Sequence, residues 1–85
     1  MPRYFFNLRV KSGPVIPDNV GILFPDLAAA RADAIEGVQE TIAELRAAGE
    51  PIEFETVEIA DIVGRTLAVV RFGEPASPAR VKRTS

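Results

Sequence analysis

Between residues 3 and 10 apolar and polar positions alternate. Tyr4, Phe6, Leu8 and Val10 fall on one side, and Arg3, Phe5, Asn7 and Arg9 on the other. A period of two, carried by aromatic and branched side chains, predicts a half-buried strand. Lys11-Ser12-Gly13-Pro14 and Pro17-Asp18-Asn19 read as breaks, with Val15 and Ile16 extended between them. Val20-Gly21-Ile22-Leu23-Phe24 predicts a second strand, joined to the first as an antiparallel hairpin with a long loop. At Pro25-Asp26 the period changes. Leu27, Ala30, Ala34, Val38, Ile42 and Leu45 recur every three or four residues, the stripe of an amphipathic helix. Asp26 is its N-cap, Gly49 its left-handed terminator and Pro51 a bar to continuation, which sets the helix at 27–48. Two strands follow, 54–59 and 66–72, with Gly64 in the turn between them.

The order β-β-α-β-β predicts an α+β fold: a four-stranded, mainly antiparallel sheet with one long helix packed on one face. The expected helix-facing core is Phe6, Leu8, Val10, Ile22, Phe24, Leu27, Ala34, Val38, Ile42, Leu45, Val70 and Phe72. Residues 1–72 form one domain. Residues 73–85 hold three small-residue/proline breaks and no apolar period, and read as a disordered basic tail.

Composition narrows the chemistry. At 85 residues there is room for one modest core. Small domains short of core add disulfides, a metal or a second copy of themselves. The chain has no cysteine and no histidine, which removes disulfides and the usual ligands of zinc, copper and iron. Self-association is the staple that remains. Residues 1–72 carry seven Lys/Arg against eleven Asp/Glu, whereas 73–85 carry three against one. The N-terminus lacks the pattern of a signal peptide and no apolar run reaches a membrane span, so a cytoplasmic location and no membrane partner are expected.

Met1-Pro2-Arg3-Tyr4-Phe5-Phe6, the helix start Leu23-Phe24-Pro25-Asp26-Leu27 with Ala28 to Ala34, and the closing Gly64-Arg65 with Arg71-Phe72 together resemble a family of short, uncharacterised alphaproteobacterial proteins. The resemblance spans roughly residues 1–72. Val15-Ile16-Pro17-Asp18-Asn19 departs from the family's more acidic, glycine-rich loop, and Ile62-Val63 from its charged turn. It implies a fold and a bacterial source, and nothing catalytic.

No Ser/His or Cys/His nucleophile can be built, and the six glycines form no phosphate cradle. Glu50, Glu53, Glu55, Glu58 and Asp61 follow the third strand, where a carboxylate pair could do acid/base work or hold a divalent ion. A charge-protected edge strand is the favoured reading of that run. Asp33, Glu36, Glu40 and Glu44 are read as a solubilising helix face, with docking of a basic partner or of Arg80, Lys82 and Arg83 as the lesser alternative. The sheet face opposite the helix carries Arg3, Phe5, Arg9, Leu23, Leu67, Val69 and Arg71, too apolar a set for solvent alone.

Those seven residues are the candidate interaction surface. A helix of about 33 Å also outruns strands of about 20–27 Å, leaving Ile42 and Leu45 for a second subunit to cover. The expectation is therefore a non-enzymatic domain with no catalytic, cofactor or metal site, acting by binding as a homodimer, with an outside protein partner also open. The alternative is a nucleic-acid-associated regulator, its arginines on phosphates and Phe5 on a base. An acidic core domain with one clear stacking aromatic counts against it.

Overall fold

The computed structural model describes residues 1–73. In chain order they form β1 (Arg3–Val10), β2 (Val15–Ile16), β3 (Ile22–Leu23), α1 (Leu27–Ala48), β4 (Phe54–Ala60) and β5 (Thr66–Arg71). The fold is α+β as expected, with five strands instead of four. All strand pairs are antiparallel, in the order β2-β1-β4-β5, and β3 shares with β2 the outer side of β1. The expected basic tail lies outside the described residues apart from Gly73.

The helix bounds follow from its caps. Asp26 is extended, and its Oδ1 accepts from the main-chain N–H of Ala29 at 2.9 Å. Gly49 turns left-handed at φ 72°, and the N–H groups of Gly49 and Glu50 close back on Arg46 and Leu45. Ala30, Ala34 and Val38 are its buried stripe. They join Tyr4, Ile59, Val70 and Phe72 in the core, with Phe6, Leu8, Phe24, Phe54 and Val57 partly buried around them. Phe6 stacks on Phe24 with centroids 6.0 Å apart, and Phe54 meets Phe72 at 5.4 Å.

Three expectations are corrected. The acidic third strand is not an edge: β4 lies between β1 and β5, and its Ile59 is fully buried. Its apolar residues Val57 and Ile59 meet Leu8 and Phe6 across the β1 ladder, so they belong to the helix side. Ile22 is not core but 49 % exposed. It pairs with Tyr4 on the outermost strand, away from the half of the sheet that supplies Ile59, Val70 and Phe72 to the helix. The predicted strand 20–24 shrinks to Ile22–Leu23, because Val20 and Gly21 belong to the turn held by Asp18.

The helix end also finds cover inside the chain. Ile42 packs on the core, and it lines a depression together with Ile52 and Phe54, from the segment that returns toward β4. The mismatch in length is thus met in part by the monomer.

Candidate interaction surface

The register of the sheet decides which side chains share its outer face. Arg3 pairs with Leu23, Phe5 with Ala60, Asn7 with Glu58, and Arg9 with Thr56. Across the next ladder Glu58 faces Val69 and Thr56 faces Arg71. Directly paired residues point to the same side. Arg3, Phe5, Arg9, Leu23, Val69 and Arg71 therefore share the face opposite the helix, while Leu67 falls at the register shift opposite Ile59 and Ala60, and the set divides into two groups. Arg3, Phe5, Arg9 and Leu23 lie on the β1/β3 side. Leu67, Val69 and Arg71 lie on β5, with Thr56, Glu58 and Ala60 of β4 between the groups.

The first group is engaged within the chain. Arg3 Nη1 donates to the carbonyl of Val20 at 3.0 Å and reaches that of Gly21 at 3.5 Å. Gly21 sits at φ 75°, beneath Arg3 and Phe5. A Cβ there would come within 2.8 Å of Arg3 Cγ and 2.9 Å of Phe5 Cε2, so glycine is required both by its dihedral and by this close approach. Phe5 is half-buried as a result. Arg9 Nε donates to Glu58 Oε2 at 2.8 Å, and this partner holds the guanidinium above its ordinary pKa. Arg3 and Arg9 thus already have acceptors in the fold.

Asp18 anchors the loop beneath this group. Its Oδ2 accepts from the N–H of Phe6 at 3.1 Å, and its Oδ1 accepts from Val20 at 3.0 Å and Gly21 at 3.1 Å. Its own N–H donates to Asn7 Oδ1 at 2.9 Å. Between the β1/β2 and β1/β3 pairings the carboxylate stands in for a strand carbonyl. Burial works against its charge, but the Phe6, Gly21 and Val20 donors outweigh that and hold the Asp18 carboxyl below the usual range. Pro17-Asp18-Asn19 announced a turn; that its acceptor would reach β1 is a long-range fact with no local signal.

The second group is more open. Leu67 is 41 % and Val69 46 % exposed, and Leu23, in the first group, 45 %. At the head of β5, Asp61 organises the turn by accepting from the N–H groups of Val63 and Arg65 and from Arg65 Nε at 3.1 Å. The Arg65 N–H is the strongest of the influences that keep its carboxyl low. Ile62 and Val63 project from the tip, 72 % and 71 % exposed. Thr56 Oγ1, between Arg9 and Arg71, is buried without a hydrogen-bond partner among the described residues.

Two concavities flank these elements. A cleft of about 350 Å³ separates the helix from Phe6, Leu8 and Val57, with Asp33, Gly37 and Thr41 on its helical wall. A wider depression of about 1050 Å³ is lined by Arg9, Lys11, Arg46 and Arg71 and by Glu55 and Glu58, so cationic side chains outnumber acidic ones there, with Arg9 bonded to Glu58. Among the described residues no three carboxylates converge on a metal position, and no helix is long and apolar enough to cross a membrane.

Compared with known proteins, the chain matches over residues 3–73 a family model described as Domain of unknown function (DUF6894). No curated protein and no solved structure matches it.

Proposed function

We propose, for a chain that belongs to the DUF6894 family over nearly its whole described fold, a role in binding rather than catalysis, exercised as a pair of identical subunits. The observation that carries the reading is the outer sheet face, where Leu23, Leu67 and Val69 stand 41–46 % exposed with no described element over them. Large apolar side chains held on a rigid sheet are what an interface uses, and an 85-residue chain without cysteine gains stability from a second copy. The sequence has no histidine and no cysteine, so neither a Ser/His nor a Cys/His nucleophile can be built, which favours binding. A bacterial source, alphaproteobacterial by resemblance of the opening Met1-Pro2-Arg3-Tyr4-Phe5-Phe6, and a cytoplasmic setting complete the proposal.

Light scattering on the full chain at micromolar concentration tests it. A mass near twice 9.2 kDa supports the pair of subunits, and a monomer removes it. The nucleic-acid alternative is weaker on this geometry, because Arg3 and Arg9 have acceptors within the fold and Phe5 lies against Gly21. Retarded migration of a labelled single strand, abolished steeply by salt, would revive it.

A further inference from the structure

The two edges of the sheet are built differently. The β2/β3 edge is cut into two-residue strands, carries Pro14, Pro17 and Pro25 in or beside it, and is plugged at its centre by the Asp18 carboxylate. Such devices stop another strand from adding on. The β5 edge has no proline and no inserted carboxylate. Its Thr66–Arg71 run is rich in strand-forming residues, with β4 on one side and no described strand on the other. Protection is confined to its ends: a register shift where Thr66 meets Ala60, and the charge of Arg71. Val69 lies midway between the irregular head and the final residue.

Backbone direction points to the same residue. Phe72 N–H donates inward to the carbonyl of Glu55 at 3.0 Å. By strand alternation Val70 also turns its N–H and C=O toward β4, so Val69 turns both of its groups away from the sheet. A donor and acceptor aimed outward from one residue are satisfied by the same residue of an antiparallel copy. An apolar flank accompanies them: Val69 lies on the outer face, with Leu67 exposed beside it.

Resting on the reading of the domain as a pair of identical subunits, we infer that β5 pairs antiparallel with β5 of a second copy, with Val69 on the two-fold axis. A two-fold axis perpendicular to the sheet keeps outer-face residues opposite outer-face residues. Centring on Val69 sets Val69 beside its own equivalent and Leu67 beside the stem of the partner's Arg71. The neighbouring register, centred on Ala68, would set Arg65 against the partner's Arg71, like charge against like. The Val69 register joins the two sheets into one.

The chain's lack of cysteine makes the test direct. Directly paired residues in an antiparallel ladder have Cα atoms about 5.5 Å apart, within disulfide range. Full-length Val69→Cys and Leu67→Cys, each with one thiol, are oxidised mildly and followed on non-reducing gels beside light scattering of the natural sequence. The expected result is a dimer in solution and a Val69→Cys cross-link forming at least tenfold faster than that of Leu67→Cys. Val69→Pro is expected to shift the mass to that of a monomer with its circular dichroism retained, since this N–H is not spent on β4. A dimer in which Val69→Cys links no faster than Leu67→Cys overturns the β5 ladder and leaves self-association standing. A monomer of natural sequence at micromolar concentration overturns both.

Discussion

The carboxylate of Asp18 accepts the main-chain N–H of Phe6 at 3.1 Å, twelve residues back along the chain. That bond seals the gap between β2 and β3 and lets one strand, β1, hold two partners on the same side.

Asp18→Ala removes an acceptor from three main-chain N–H groups. Bonds to a charged acceptor contribute roughly 1.5–3 kcal/mol each, but water can reach Val20 and part of the turn, so a loss of about 2–4 kcal/mol is expected. Urea denaturation measures it, and a change under 0.5 kcal/mol would contradict the role given to Asp18.

The same carboxylate sets a pH dependence. Its native pKa is lowered from the ordinary 3.8, so its contribution is complete above that value and is lost as pH falls through the lowered native value. The stability difference between the natural chain and Asp18→Asn should therefore hold steady from pH 7 to pH 5 and shrink below pH 4. A gap that widens on acidification would reverse the assignment. Asp61, held low mainly by the Arg65 N–H, acts with the same sign.

Gly21→Ala and Gly37→Ala should move stability in opposite directions. At Gly21 the positive φ and the contacts with Arg3 and Phe5 make a methyl group costly, by about 1–3 kcal/mol. At Gly37, inside α1, a Cβ meets nothing within 4 Å, and alanine should add about 0.5–1 kcal/mol. Thermal melts of the two variants side by side give the answer.

Ile59→Ala empties the most deeply buried large side chain of the described core and should cost about 2–5 kcal/mol. Ile62→Ala, at the open tip three residues on, should stay within about 0.5 kcal/mol. Equal effects at the two positions would contradict the central place of β4.

The Arg9–Glu58 pair joins two adjacent strands at 2.8 Å with the Arg9 side chain 43 % exposed. A double-mutant cycle should return only a small coupling, weaker still in 1 M salt.

What the sequence determined by itself is local. The Asp26 cap, the apolar stripe and Gly49 bound α1 at 27–48, since each acts within one helical turn. Alternation along residues 3–10 placed the right side chains on each face of β1, because the pleat has a fixed period of two. The α+β class follows from those elements in that order. Tertiary structure alone decided which strands lie in the middle. The glutamates of β4 suggested an edge, whereas β4 is central: one of them, Glu58, points outward against Arg9 while Val57 and Ile59 face the core. Strand order is set by pairing energies summed across the sheet, and no residue carries it in its neighbours. The same holds for the candidate surface. Alternation set Arg3, Phe5 and Arg9 on one face, but the division of the candidate residues by β4, and the use of those three to hold the chain's own loop and ladder, came only from contacts far apart in sequence.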